Sequence, residues 1–412
     1  MRRTRLTTLL CVTMLIAASA QVTATAGPLA TGSAPSGDGS GRDRPCVSSP
    51  RPDGGQAREV LRIAEQAKEE LGLASVVLRV TVDGREVITD ALGESMTGVP
   101  AEPAMHFRAG SVAIAFMGTV LLQLVEEGKA GLDDPVSRWL PDAPYAEQIT
   151  LRMLGSSTSG LADYVTDPAF LAELEAAPFR QWTPEELVGI STSKPLWYDP
   201  GTNWSYSHAN FVLLGAALEK IAGTRLDHLL QQRVMGPLGL HETRNNFTPD
   251  IPAPVLHAFT SERGKYEEST FWNPSWTTAP GAVITTDICD LARSAVAIGS
   301  GELLSPAAFR VQLDPGTVGL GGPTATCPET VCRANTEATH FGLGVIVVDD
   351  WIIQNPSFSG YAAMQAYLPC ERVAIAVTTT KGPDTPDGNT SETIARRISA
   401  VVAPGHPLPP PQ

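Results

Sequence analysis

The sequence predicts an α+β fold: an antiparallel sheet built from both chain ends and flanked by helices, with a mainly helical lobe inserted. Strand-like runs stand near the two ends, "SVVLRVTVDGREVITDALG" early and "FGLGVIVVDDWIIQ", "AAMQAYLP" and "RVAIAVTTT" late. Between them, over about 115–280, the pattern is helical with Pro- and Gly-rich connections. No internal repeat is present.

The first residues are not part of the fold. "MRRTR" is a basic segment, and "LTTLLCVTMLIAASA" is an apolar run closing on Ala18-Ser19-Ala20, with a second small-residue site at Ala24-Thr25-Ala26. This reads as a secretory signal peptide over 1–26, too short and wrongly flanked for a membrane span. Leu10 before Cys11 argues against a lipoprotein. The Gly/Pro/Ser-rich stretch that follows buries too little apolar surface to order itself, so 27–55 is expected to be a disordered linker. One folded domain is expected over 56–402. It opens with a helix, "AREVLRIAEQAKEELG", then a hairpin turning at Asp83-Gly84. A long apolar helix runs from about Ser111 to Glu127, with Gly128 suited to its end. "NFVLLGAALEKIAG" is another amphipathic helix, and "SETIARRISAVV" closes the fold. The tail, 403–412, is expected to be unstructured.

Lysine and arginine number 30 against 44 acidic residues, a net charge of −14, or −17 once Arg2, Arg3 and Arg5 leave with the leader. Such a chain is a poor partner for nucleic acid or an anionic membrane face. Five cysteines remain after Cys11 is removed: Cys46, Cys289, Cys327, Cys332 and Cys370. In an oxidising compartment pairs are expected; "CPETVC" suits a small closed loop, and the odd count leaves a free thiol or an intermolecular bridge. Their spacing fits no zinc site, and neither a metal nor another cofactor is expected. A phosphate-binding Gly-Lys-Ser/Thr loop, HExxH and a G-x-S-x-G elbow are absent from the sequence.

"FRAGS" stands before the long helix, "LLQLVEEGKAGLDDPVSRWLP" after it, and "ITLRMLGSSTSGLADY" carries a Ser/Thr-Ser-Gly-Leu turn. "PGTNWSYSHANFVLLG", "MGPLGLHETRN", "TTDICDLAR", "GELLS" and "FGLG" follow in order. Through these motifs the chain resembles the serine β-lactamase and penicillin-recognising family, in its class C β-lactamase and secreted D-alanyl-D-alanine carboxypeptidase-like branch with esterase relatives. The resemblance covers roughly Gln56 to Val402 and implies a β-lactamase/transpeptidase-like fold.

It also implies a site, and the site departs from the family pattern. Ser111 matches the nucleophile, set where a helix N-terminus favours developing negative charge. The lysine one turn on is replaced by Ile114, which neither accepts a proton nor carries charge. The second motif, Tyr-Ser/Ala-Asn in the family, is Tyr206-Ser207-His208; a phenol is a poor base near neutrality without nearby positive charge. The third, Lys/His-x-Gly, is Phe358-Ser359-Gly360, after which the Tyr361 N–H would complete an oxyanion hole with that of Ser111. Ser157 stands where many relatives have histidine.

Each residue has a plainer alternative. Ser111 suits a helix N-cap, Tyr206 a packed aromatic, His208 either a substitute base or a cleft-lining side chain, and Phe358 either a site for apolar acyl groups or simple cleft filling. The resemblance implies a secreted serine hydrolase homologue, an acyl hydrolase or transferase scaffold for peptide, ester or β-lactam-like substrates, with standard activity lost or altered. The alternatives are a non-catalytic protein binding cell-wall peptide or a small acyl compound, or a scaffold partner of an active relative. Oligomeric state is left open.

Overall fold

The computed structural model of the chain describes residues 46–50, 54–280 and 282–410. The expected leader, and the linker up to residue 45, lie outside the described residues. Helix α1 (Gly55–Glu70) buries Val60, Ile63, Ala64 and Ala67, a single stripe at helical spacing. Strands β1 (Leu73–Val82) and β2 (Arg85–Met96) form the expected hairpin. Asp83 and Gly84 both have positive φ, 51° and 72°, as a two-residue turn of matching twist requires. Next come the edge strand β3 (Val99–Pro100), β4 (Phe107–Arg108) and the long helix α2 (Val112–Glu126).

The lobe contains α3 (Leu151–Ser156), α4 (Pro168–Ala176), α5 (Pro184–Thr192), α6 (His208–Ala222), α7 (Leu226–Leu230) and α8 (Gly236–Leu238). Short strands β5 (Arg244–Asn246), β6 (Phe259–Thr260), β7 (Glu267–Glu268) and β8 (Val283–Thr286) follow, then α9 (Ile288–Ser300) and α10 (Pro306–Leu313). The last third returns to the sheet: β9 (Thr339–Phe341), β10 (Ile346–Val348), β11 (Trp351–Gln354), β12 (Ser357–Phe358), β13 (Tyr361–Leu368), β14 (Val373–Lys381) and the closing helix α11 (Thr390–Val402).

The main sheet runs β3-β2-β1-β14-β13-β11-β10-β9, with β12 paired to the start of β13. Its pairs are antiparallel, and β1 meets β14 with Val76 opposite Thr379, so both chain ends build the centre. One face packs on α1 and α11 through a core including Val60, Ile394 and Ile398. The other carries the larger core, in which α2 is buried along nearly its whole circumference. A small sheet, β4-β8-β5, holds the strand that leads into α2: Phe107 pairs with Thr286 and Arg108 with Thr285.

Two expectations about the chain ends are corrected. The expected linker is fastened where it is described: Cys46 is bonded to Cys289, and the Ser49 N–H donates to the Thr89 carbonyl at 2.7 Å. Composition registers the missing apolar surface but not a covalent tether. The tail is docked on the fold at Ala403, His406 and Leu408. Leu408 is buried, its N–H donates to Ser399 Oγ at 2.9 Å, and Trp351 Nε1 donates to the His406 carbonyl at 2.8 Å. A Pro-rich tail has few N–H groups to satisfy, and the buried indole needs an acceptor. Cys327 and Cys332 close the small loop, and Cys370 is an exposed thiol. Among the described residues, no helix is long and apolar enough to cross a membrane.

Candidate active-site cleft

Ser111 stands at the N-terminus of α2 with φ −65° and ψ −4°, half-buried, and its side chain caps no backbone N–H. The Tyr206 phenol lies beside it, close enough that the Ser111 hydroxyl favours the phenol's ionised form. Serine as a simple helix cap is therefore not what the geometry contains. Gly110 brings the chain close to Pro356: a Cβ there would lie 3.1 Å from the proline Cβ, at a φ of 41°.

One turn into the helix, Ile114 is 1% exposed and belongs to the larger core. The surrounding backbones leave little slack. A Cβ on Gly118 would come within 2.2 Å of the Leu343 carbonyl oxygen, and one on Gly344 within 2.3 Å of the Ile114 carbonyl oxygen. The "FGLG" stretch is thus a backbone shelf for α2, and its glycines are required by close approach. Among the described residues, no basic side chain hydrogen-bonds to Ser111.

The Tyr206-Ser207-His208 turn enters α6. Burial pushes the Tyr206 phenol well above its ordinary range; the Ser111 hydroxyl works against this, while the Asp163 carboxylate adds to it. Near neutrality Tyr206 is a neutral phenol. His208 is the first residue of α6, and its Nδ1 lies 3.0 Å from both Asp163 carboxylate oxygens. Asp163 Oδ1 also accepts the His208 backbone N–H at 3.2 Å and that of Val165 at 3.4 Å. The side chains of His208 and Asp163 are 16% and 5% exposed, respectively. A carboxylate on Nδ1 selects the tautomer protonated there and leaves Nε2 as the ring's basic nitrogen.

The imidazole stands edge-on to Tyr206, ring centroids 5.1 Å apart, and also touches Tyr164 and Trp276. His208 makes no hydrogen bond to Ser111 or Tyr206 among the described residues, so the direct Ser–His pair expected of a substitute base is not formed. No motif singles out Asp163, although it lies in the same "STSGLADY" stretch as the Ser/Thr-Ser-Gly-Leu turn. Ser157, where many relatives have histidine, has a structural role of its own. It sits in the left-handed region at φ 60°, donates to the Ser205 carbonyl at 2.9 Å, and accepts from the Ser207 N–H at 3.1 Å and Asn210 Nδ2 at 3.0 Å. It ties the second-motif loop to the end of α3.

Phe358, Ser359 and Gly360 turn β12 into β13. A Cβ on Gly360, whose φ is 96°, would lie 2.4 Å from the Phe259 carbonyl oxygen, so only glycine fits. Phe358 is 4% exposed, stacked on Trp276 with centroids 6.0 Å apart and planes at 28°. The Arg108 guanidinium lies 5.4 Å from the centroid of the same ring. Burial lowers Arg108 to about 10, still cationic at neutrality. Tyr361 begins β13 opposite Thr380, with its phenol buried and donating to the Leu256 carbonyl at 2.5 Å. Ser111, Tyr206 and His208 thus lie together, while Phe358 is wedged between Trp276 and Arg108.

The Beta-lactamase family model matches residues 60–399. Among curated relatives, penicillin-binding protein 4* of Bacillus subtilis is 31% identical over 147 residues, covering 35% of this chain and 32% of that protein. Esterase EstB of Burkholderia gladioli is 31% identical over 193 residues, covering 44% and 49%. The matched stretches span about a third to a half of these relatives' lengths. Among solved structures, a D-stereospecific amidohydrolase from Streptomyces sp. superposes with a TM-score of 0.69 at 25% identity, covering 83% of this chain and 98% of that one. The D-amino acid amidase of Ochrobactrum anthropi SV3 complexed with L-phenylalanine amide gives 0.71 at 20% identity, covering 85% and 99%. With the family model spanning most of the fold and the same architecture recurring in these hydrolases, the chain belongs to the Beta-lactamase family.

Proposed function

We propose that this chain is an exported serine hydrolase homologue in which lysine-dependent attack by Ser111 has been lost, and whose cleft holds a small acyl or peptide ligand without cleaving it. The observation that carries the reading is the partner of Ser111. Its hydroxyl meets a phenol that burial keeps protonated, and the residue one turn along the helix is the buried Ile114. A neutral phenol accepts no proton at useful rates near neutrality, so among the described residues Ser111 has no base hydrogen-bonded to it. Export is supported by the amino-terminal apolar leader and by the bonded pairs Cys46–Cys289 and Cys327–Cys332.

The test is a fluorophosphonate probe with intact-mass detection, using Ser111→Ala as control. The expected result is no adduct while an active relative labels beside it. An adduct on the wild-type chain that Ser111→Ala lacks would overturn the reading.

A second reading is favoured by one contact, Asp163 on His208 Nδ1. Here the oriented imidazole takes over as base and draws the Ser111 proton through Tyr206. Labelling that disappears in His208→Ala as well as in Ser111→Ala would establish it; labelling indifferent to His208 would remove it.

A further inference from the structure

Beyond the Trp276–Phe358 stack lies a cavity of about 470 Å³, within the range of small-molecule sites. Leu171, Leu174, Trp272, Trp276 and Phe358 give it an apolar lining, and Lys381 lies on its wall near Gly360. Ser111, Tyr206 and His208 are not among the residues that line it. The two aromatic rings face the cavity while His208 touches Trp276 and Arg108 lies against Phe358. Neither ring is free to drift. The Trp276 carbonyl accepts the Tyr164 hydroxyl at 2.6 Å, and Phe358 is held between the indole and the guanidinium.

The polar groups of the cavity are not equivalent. Glu175 and Glu262 are exposed, and Glu262 accepts the Ser359 hydroxyl at 3.1 Å. Lys381 is half-buried at the end of β14, and its ammonium is in no ion pair among the described residues. A lysine on the wall of an apolar chamber, in no ion pair among the described residues, is matched by a carboxylate on an apolar body.

We propose that this cavity is a binding site in its own right for an aryl or medium-chain alkyl carboxylate, its acid on Lys381 and its body between Leu171, Leu174 and Trp272. The Trp276–Phe358 wall separates that ligand from Ser111. The proposal goes beyond the reading of the Ser111 cleft: it needs neither a ligand beside Ser111 nor a reactive Ser111.

The probes are phenylbutyrate, phenylbutanol and phenylbutylamine, titrated calorimetrically into the mature chain. Phenylbutyrate is expected to bind at least about tenfold more tightly than the other two, and Lys381→Met to erase its advantage over the alcohol while leaving the alcohol's affinity unchanged. The wall is tested in a chain carrying Ser111→Cys and Cys370→Ser, alkylated with iodoacetamide, a reaction that needs no enzymatic base. Saturating phenylbutyrate is expected to leave the alkylation rate of the introduced thiol unchanged with Phe358 present, and to slow it several-fold once Phe358→Ala opens the wall. Phe358→Leu serves if the alanine variant fails to fold. Absence of binding, or amine binding as tight as the acid, overturns the site; protection of the introduced thiol with Phe358 in place overturns the wall. A fluorophosphonate adduct on Ser111 would instead strike only the proposed loss of chemistry.

Discussion

On one side of Ser111, Ile114 and Phe358 are packed among apolar and aromatic neighbours. On the other, Ser157, Asp163, Ser207, His208 and Asn210 share a set of hydrogen bonds in which members satisfy one another. The two sides store stability differently. The apolar side responds to volume, a methyl group at a time, and to the arrival of charge. The polar side responds to orphaning, because removing one member leaves several buried donors without acceptors.

The sharpest way to separate the two sides is Ile114→Lys, which reinstates the residue type of the family motif. Set among the apolar neighbours of Ile114, the ammonium should cost about 4 kcal/mol in urea unfolding, without making Ser111 label with a fluorophosphonate. Labelling after that single change would mean that the site kept its readiness for a lysine. Next is Asp163→Ala, which removes the acceptor for two backbone N–H groups and the imidazole; a loss of about 3 kcal/mol is expected. Ser157→Ala deprives the Ser207 N–H and Asn210 of their acceptor while keeping a left-handed backbone, and should cost about 2 kcal/mol. The smallest effect belongs to Ile114→Val, about 1 kcal/mol for one methylene. If Asp163→Ala cost no more than Ile114→Val by the same measurement, the contrast between the two sides would fail.

Much of the fold was legible in the sequence because strands at the ends and helices in the middle leave periodic signals of their own. The Asp83-Gly84 turn and the long α2 follow from local chemistry that no distant contact overrides. Within the cleft, Ser111, Tyr206, His208 and Phe358 are the residues to which ordered motifs point. Asp163 is not among them, since an aspartate in a turn looks like any other until the fold sets it against an imidazole. Trp276 was missed for a similar reason: an indole in a Pro- and Thr-rich loop acquires meaning only from the ring that stacks on it. The docked tail and the Cys46 tether were misread because composition measures a segment's own capacity to fold, not what a neighbour offers it.

The pairing of β1 with β14 has a consequence for the order of events in time. Val76 sits beside Thr379, and the strand that joins them at the centre of the sheet is among the last to be synthesised. Until it arrives, β1 and β2 are a lone hairpin, marginal in water by itself. Contacts so distant along the chain form late and slowly. The main sheet therefore gains its centre only near the end of synthesis, and a chain stopped before β14 is expected to leave β1 and β2 without their partner.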